Sequence, residues 1–145
     1  MATANAATNY LERRLLHYIF KNDSLSFASP GDSIYVGLAT EESAAETGSV
    51  TEADFGGYER KQVAASGWTT IGDDTTNVQT AKNTANIDFD EHDGTNDADL
   101  ITHVFVADAL TGGNILFVGQ LDNSKTIASG DIFRINAGNL TIELK

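Results

Sequence analysis

The stretch Leu100-Ile-Thr-His-Val-Phe-Val-Ala107 decides the fold class, because it is a nearly continuous apolar run. The turn sequence Asp108-Ala-Leu-Thr-Gly-Gly-Asn114 follows it, and then the second apolar run Ile115-Leu-Phe-Val-Gly-Gln-Leu121. An apolar run with little polar alternation is typical of a central strand that is covered on both faces. Two such runs joined by a short glycine-containing turn predict a β-hairpin. We therefore expect this hairpin to lie at the centre of a β-sheet.

Further strands are predicted on both sides of the hairpin from alternating apolar residues and from glycine, asparagine and aspartate turns. They are Ser33–Thr40, Tyr58–Ala65, a strand or strand end at Trp68, Ile87–Phe89, Ile132–Asn136 and Leu140–Leu144. The last two segments are joined by Ala137-Gly-Asn139 and predict a final hairpin. The acidic stretch Glu41–Asp54 is predicted as an exposed loop, and Gly72–Asn86 as a long polar excursion.

A single helix is predicted from about Tyr10 to Lys21. Asn9 is a suitable N-cap, and Glu12 stands three residues further on, which is the spacing of a capping box. Leu11, Leu15 and Ile19 recur one turn apart, and Leu16 and Phe20 widen this apolar stripe. The helix is therefore predicted to be amphipathic and to pack one face onto a sheet.

These elements predict a mainly β chain, a β-sandwich or an open β-barrel with one N-terminal amphipathic helix. All 145 residues are expected to form a single domain, which is the ordinary size for one hydrophobic core. Within it we expect an N-terminal tail (1–9), the helix (10–21) and a β domain (33–145).

Composition excludes several partners and kinds of site. The chain carries 21 acidic and 9 basic residues, a formal net charge of -12, so its surface repels nucleic acid. It has no cysteine for a disulfide or a thiolate metal site. It shows no secretory signal or membrane-spanning run, so synthesis in the cytosol is expected. The helix is the only net-positive region, which suits docking by that end.

The densest polar cluster is the acidic loop between Asp88 and Asp99, which contains six acids and His92. Hard carboxylate oxygens of this kind bind calcium. However, Gly94 lies one position late for an EF-hand loop, and the twelfth position is aspartate rather than glutamate. A solvated loop is the favoured interpretation, and we predict no metal site and no cofactor.

Catalytic motifs are also missing from the sequence. His17, His92 and His103 show no ligand spacing, and His103 is expected to be a partly buried, hydrogen-bonded residue. There is no Gly-x-Ser-x-Gly motif and no cysteine nucleophile. We therefore predict no catalytic residues and no enzymatic activity; a metal-assisted hydrolase using the acidic loop is the remaining enzymatic alternative.

Tyr58, Arg60 and Lys61 form the compact basic and aromatic cluster beyond the helix. On a strand Tyr58 and Arg60 share a face, and Lys61 points the other way. Arg60 is either an anchor for an acidic partner or one half of an ion pair with Glu59 or another nearby acid. Both alternatives remain open at this point.

Several segments together resemble small accessory virion proteins of tailed bacteriophages. They are Asn9-Tyr-Leu-Glu-x-x-Leu-Leu16, Ile34-Tyr-Val-Gly-Leu38, Gly56-Gly-Tyr-x-Arg-x-x-Val63, Val104-Phe-Val-x-Asp-Ala-x-Thr-Gly-Gly-Asn114, Leu116-Phe-x-Gly-x-Leu121, Lys125-Thr-Ile-x-x-Gly-Asp131 and Ala137-Gly-x-Leu-Thr-Ile142. The resemblance spans nearly the whole chain. It implies a β-rich subunit, often trimeric, from a group described both as head decoration (cement) proteins and as tail-fibre proteins.

The resemblance and the charge distribution together predict a capsid decoration protein on the outer surface of the virion. Its partners would be the major capsid protein and further copies of itself, as a homotrimer. The expected contact residues are Tyr10, Arg13, Arg14, Tyr58 and Arg60. The alternative is a tail-fibre or baseplate-associated module that binds host surface glycans, although the loops are poor in the aromatic residues that such binding uses.

Overall fold

The computed structural model describes residues 2–4, 6–21, 34–69 and 79–144. Within these residues one α-helix is found, α1 (Asn9–Lys21). The strands are β1 (Ala2–Ala4), β2 (Ala6–Ala7), β3 (Tyr35–Ala44), β4 (Ser49–Glu52), β5 (Lys61–Gln62), β6 (Gln79–Lys82), β7 (Ile87–Asp88), β8 (Asp99–Ala107), β9 (Ile115–Ile127), β10 (Arg134–Ile135) and β11 (Leu140–Leu144). The chain is mainly β with one helix near its N-terminus, as the sequence predicted.

The strands form one large and one small sheet. The large sheet has the order β4-β3-β8-β9-β1-β11-β6, with β2 added against β9 and β5 against β3. The small sheet consists of β7 and β10. Side chains from both sheets share one core cluster, which includes Val36, Leu38, Ile87, Phe89, Ile101, Val104, Phe133, Ile135 and Leu140. The described sheets are not closed into a barrel, and the architecture is consistent with a β-sandwich.

The central hairpin predicted from the apolar runs is confirmed as β8 and β9. Phe105 pairs with Val118 across it, and β8 also pairs with β3 on its other side. The connecting turn is closed by Asp108, whose carboxylate accepts hydrogen bonds from the backbone and the side-chain amide of Asn114, at 2.7 and 2.9 Å. β9 continues to Ile127, six residues beyond the predicted end.

Gly37 in β3 is required by the packing of its neighbour. It lies opposite Phe105, and a Cβ atom at position 37 would lie 2.2 Å from Cζ of that ring. Because Phe105 is fully buried, its ring has no room to move away. The Ile34-Tyr-Val-Gly-Leu38 pattern therefore has a structural explanation in the core.

Two predictions for the segments between residues 41 and 65 are wrong. The stretch Glu41–Asp54 is not simply an exposed loop, because β3 runs on to Ala44 and pairs with β4. The turn between them is a short 3-10 helix that ends at Gly48, which has a φ of 69°. The predicted strand Tyr58–Ala65 is reduced to β5, which pairs with Tyr35 and Val36.

The predicted final hairpin is also wrong. β10 pairs with β7 in the small sheet, while β11 pairs antiparallel with β6 and parallel with β1. β6 lies inside the predicted polar excursion, of which residues 72–78 fall outside the described residues. Trp68 forms an isolated bridge with Asn83 and packs against the core, half-buried. Strand partners distant in sequence replaced the nearest one.

Candidate docking surface

Thr8 fixes where α1 begins. Its backbone N donates to the carbonyl of Leu116 at 3.0 Å, and its Oγ1 donates to the carbonyl of Ile115 at 2.7 Å. The same Oγ1 accepts a hydrogen bond from the backbone N of Leu11 at 3.4 Å, which is the N-cap contact. The cap is therefore Thr8 rather than the predicted Asn9. Because Thr8 is fully buried against β9, the helix starts from a fixed point on the sheet.

The apolar side of α1 is exposed, contrary to the prediction that it would pack onto a sheet. We define the helix face as Leu15, Leu16, Ile19 and Phe20, which are 42, 56, 58 and 75% exposed. No residue of Asn9–Lys21 is buried. Positions one turn apart share a side of a helix, so these four side chains form one apolar stripe. An exposed contiguous apolar patch of this kind marks an interaction site.

The helix face continues into an apolar hollow on the sheet. A cavity of about 560 Å³ is lined by Leu11, Leu15, Leu16, Phe117 and Leu144. A second one, of about 290 Å³, shares Leu11, Phe117 and Leu144 with the first and extends to Trp68 and Ile142. The docking surface therefore consists of the helix face and the adjoining strands β9 and β11.

The charge of α1 differs from that of the remaining chain. Arg13, Arg14 and Lys21 are its three bases and Glu12 is its acid, whereas the rest of the chain has six bases and twenty acids. Arg13 is exposed and Arg14 is half-buried. An apolar stripe bordered by arginine fits a partner with apolar and acidic residues.

Tyr58 and Arg60 belong to a polar network inside the chain. Nε and Nη2 of Arg60 donate to the two carboxylate oxygens of Glu52, each at 2.8 Å, and Arg60 is only 6% exposed. The Tyr58 hydroxyl donates to the same carboxylate at 2.9 Å and accepts a bond from the backbone N of Leu38. Of the two alternatives for Arg60, the ion pair is observed, and its partner is Glu52 rather than Glu59.

The network shifts the pKa of both side chains. Burial is the largest cause that raises the pKa of Tyr58 far above its usual value of 10.0, and the neighbouring carboxylate of Glu52 adds to it. The hydrogen bond to Glu52 raises the pKa of Arg60. Arg60 also donates from Nη1 to the carbonyls of Ala109 and Gly112, at 2.7 and 2.8 Å. These groups therefore fix the β8–β9 turn and offer little polar capacity to a partner.

The structure brings some of the predicted contact residues together. Tyr10 and Arg60 line one hollow of about 300 Å³, and Tyr58 and Arg60 line a neighbouring groove of about 650 Å³. Arg13 and Arg14 are absent from both linings and lie on α1. That all five contact a partner stays a prediction.

The carboxylates of the acidic loop are engaged separately. Asp88 pairs with Arg134 at 2.5 Å, and Asp90 pairs with Lys61 at 2.5 Å. Oδ2 of Asp99 accepts hydrogen bonds from the backbone N–H groups of residues 54 and 55, at 2.7 and 3.0 Å. Within the described part of the chain, no three histidine, cysteine or acidic side chains are placed to hold one metal ion. These acids therefore act as caps and ion-pair partners.

The ordinary ionisation of two of these acids is altered. The hydrogen bond from Arg134 lowers the pKa of Asp88 below its usual 3.8. Hydrogen bonds from the hydroxyl and the backbone N of Thr95 lower the pKa of Asp93. Both shifts extend the ionised form of these carboxylates to lower pH.

His103, on β8, has polar contacts at both nitrogens of its ring. Nδ1 of His103 lies 2.7 Å from Oγ1 of Thr102, and its Nε2 lies 3.8 Å from the carboxylate of Glu42. The Thr102 hydroxyl donates to the Thr40 carbonyl at 2.9 Å, which fixes it between two strands. As predicted, His103 is partly buried and hydrogen-bonded.

Reasoning from the sequence predicted docking through the N-terminal tail and the helix, but it placed the helix contacts at Tyr10, Arg13 and Arg14 and assigned the apolar stripe to the sheet of the chain itself. The apolar stripe was visible as residues recurring one turn apart, but this spacing is the same for a helix that packs on its own sheet. Among the described residues, no helix is long and apolar enough to span a membrane.

An acidic, mainly β chain with an exposed amphipathic helix has the features of a structural subunit that docks on a larger assembly. The sequence model of the family described as Podophage GP4 fiber I protein gp80 matches residues 6–143. Because the match covers nearly the whole chain, this protein belongs to that family. It is an accessory structural protein of tailed-phage virions, as the resemblance implied. No curated protein sequence matches the chain.

Proposed function

We propose that this chain is a non-catalytic accessory subunit that is attached to the outside of the virion through its helix face. The observation that carries the proposal is the exposure of Leu16, Ile19 and Phe20 on a helix that is anchored to the sheet at Thr8. A fixed helix with an unburied apolar side has the geometry of an element that is completed by a partner.

The energetics support attachment by this surface. Burying a large apolar side chain contributes roughly 1.5–3 kcal/mol, so three of them offset a substantial part of the entropic cost of association. Repetition on a symmetric particle strengthens retention further, because several modest contacts act together when copies are linked. A homotrimer would use this effect, and we propose self-association as part of the function.

The more specific role that we favour is that of a fibre subunit. The family description, which names a podophage fibre protein, supports this role. The strongly acidic composition of the chain would help to keep such a fibre soluble. Binding of host surface glycans by its exposed loops remains the associated hypothesis.

Head decoration is the second candidate. The distribution of charge favours it, because a net-positive helix on a strongly acidic chain suits docking by one end onto the major capsid protein. In this role the subunit would clamp neighbouring capsid subunits and stabilise the shell. It uses the same helix face, so the two candidates differ in the partner rather than in the mechanism.

Locating the subunit on intact particles tests the proposal. A tag in the β8–β9 turn at Thr111, which is exposed, would be labelled with gold on purified virions and imaged by electron microscopy. Label on fibres supports the favoured role, and label distributed over the shell supports head decoration. Purified virions that lack the chain altogether would overturn both.

A further inference from the structure

The first two strands occupy an unusual place in the large sheet. β1 lies between β9 and β11, pairing antiparallel through Ala2 with Leu121 and parallel through Thr3 with Thr141. β2 pairs with β9 at Phe117 and Val118. We call β1, β2 and Thr8 the arm. In the strand order, only β1 links β4-β3-β8-β9 to β11-β6, so without the arm the described sheet divides into two parts and gains two further open edges, at β9 and β11.

Open edges of this kind must be filled. Unpaired backbone N–H and C=O groups on a strand edge act as a template for another strand. The arm meets this need with backbone hydrogen bonds, which any chain in the same register can supply. The gap between β9 and β11 is therefore a receptor for one short strand, and the arm is the segment that fits it.

The chain between the arm and residue 34 is long enough for the arm to reach another subunit. α1 follows it directly and contributes no buried residue to the fold. Residues 22–33 then separate α1 from the described part that begins at residue 34. Twelve residues can span at most roughly 40 Å, which is comparable to the width of a small domain. The length of the chain therefore allows the arm to reach a neighbouring subunit.

We propose that the arm is exchanged between copies, so that β1 of one subunit fills the gap between β9 and β11 of the next. Exchange preserves every backbone pairing of the arm, because the receptor strands are identical in each copy. It also carries α1 to the second subunit, because Thr8, where α1 begins, belongs to the arm and is hydrogen-bonded to β9. The exchange does not require burial of the helix face, which stays available for attachment to the virion.

Exchange has a direct consequence for assembly. An arm passed in one direction makes a head-to-tail contact, which closes into a ring or continues as a filament according to its rotation. A ring of three copies and an extended fibre are both products of this single contact. The inference deepens the proposed function by naming a second copy as the partner, and it rests on the chain being a multi-copy structural subunit.

Disulfide trapping tests the exchange, because the chain contains no cysteine of its own. Chains carrying Thr3→Cys and chains carrying Thr141→Cys would bear different tags, be co-expressed and be oxidised mildly after purification. We expect a covalent dimer that contains both tags as the main disulfide-linked product. The matched control combines Thr3→Cys with Thr126→Cys, since Thr126 pairs with β8 rather than with the arm.

The contrary result is equally clear. The exchange would be overturned by two observations together. The co-expressed single-cysteine chains would give no more mixed dimer than the control, and a chain that carries both Thr3→Cys and Thr141→Cys would form its disulfide within one chain. Ala4→Cys with Ile142→Cys repeats the test at the next register position, in case the buried Thr141 does not tolerate the change. Failure here would overturn arm exchange alone, whereas absence of the chain from virions would overturn the proposed function.

Discussion

Arg60 and Glu52 form a two-point ion pair that connects three parts of the fold. Nε lies 2.8 Å from Oε1 and Nη2 lies 2.8 Å from Oε2, while Nη1 donates to two carbonyls of the β8–β9 turn. The hydroxyl of Tyr58 donates to the same carboxylate. The pair therefore holds the end of β4, the loop after it and the central hairpin turn in one arrangement.

Replacement of the arginine by an apolar residue should destabilise the protein substantially. For Arg60→Leu we expect a loss of about 3 kcal/mol in the free energy of unfolding, because removing one partner leaves the other charge uncompensated. The expected loss is small for a broken buried ion pair, because the side chain of Glu52 is 33% exposed and water can solvate its charge. Urea unfolding, followed by the fluorescence of Trp68, measures the change.

Arg134→Leu is the matched control for this prediction. Arg134 also forms a two-point pair, with Asp88, but both side chains are about half exposed. Exposed pairs contribute little to stability. If Arg60→Leu were no more destabilising than Arg134→Leu, the buried network would not have the structural role assigned to it.

The exposed Arg134–Asp88 pair predicts how the free energy of unfolding changes with pH. Because Arg134 lowers the pKa of Asp88, the ionised carboxylate is favoured in the folded protein. Its contribution to stability is present above the ordinary pKa of 3.8 and is lost as the pH falls through the lowered pKa. The stability difference between the wild type and Asp88→Asn should therefore be constant from neutral pH to about pH 5 and vanish in stronger acid.

A carbon-detected NMR titration of the Asp88 carboxyl group checks the cause. The wild type should titrate with a midpoint below 3.8, and the midpoint should move up in Arg134→Gln. A wild-type midpoint at or above 3.8 would contradict the assigned ion pair.

The cap of α1 provides a third prediction. Thr8→Val keeps the shape of the buried side chain but removes the hydroxyl that contacts Leu11 and Ile115. We expect a loss of about 1–2 kcal/mol, because a helix cap and a buried hydrogen bond disappear together. The measurement is urea unfolding followed by circular dichroism at the helix band. Thr84→Val, at an exposed threonine, should leave the unfolding curve nearly unchanged, and equal effects of the two substitutions would contradict the cap.

The central hairpin could be predicted from the sequence because its signals are local. An apolar run, a turn with two glycines and a second apolar run are adjacent in the chain, so β8 and β9 had no closer competitor as partners. The same rule failed for β11, which was assigned to β10 as its nearest neighbour. Its actual partners, β1 and β6, are specified by the packing of the whole domain.

Residue composition misled the prediction where tertiary pairing overrides local preference. The extension of β3 through Thr40–Ala44 is rich in acidic and small residues, which favour loops, yet it pairs with β4. Ala2–Ala4 likewise shows no strand pattern. Both segments acquire strand geometry from a neighbour that already has it.

The candidate site was only partly predictable for a related reason. The apolar stripe of α1 follows from its spacing, but spacing does not tell which surface the stripe meets. For Arg60 the sequence left an ion pair and a partner contact open. Glu52 lies eight residues earlier, and only the course of the loop after β4 brings it within reach.

The helix face should be dispensable for folding. Leu16→Asp combined with Phe20→Ser changes two side chains that are 56 and 75% exposed, so the free energy of unfolding should shift by no more than about 1 kcal/mol. Thermal unfolding by calorimetry measures this. A loss as large as that of Arg60→Leu would show that the stripe is part of the core of the chain.

Incorporation into virions tests the central claim most directly. Phages encoding the wild type, Leu16→Asp with Phe20→Ser, or the control Ile132→Ser, at an apolar side chain that is 48% exposed away from the docking surface, would be purified, and the chain would be quantified per particle by mass spectrometry. We predict wild-type amounts for Ile132→Ser and at least about a tenfold reduction for the helix-face variant, because each 1.4 kcal/mol of lost burial weakens binding tenfold. Incorporation of the helix-face variant at the wild-type level would contradict attachment through α1.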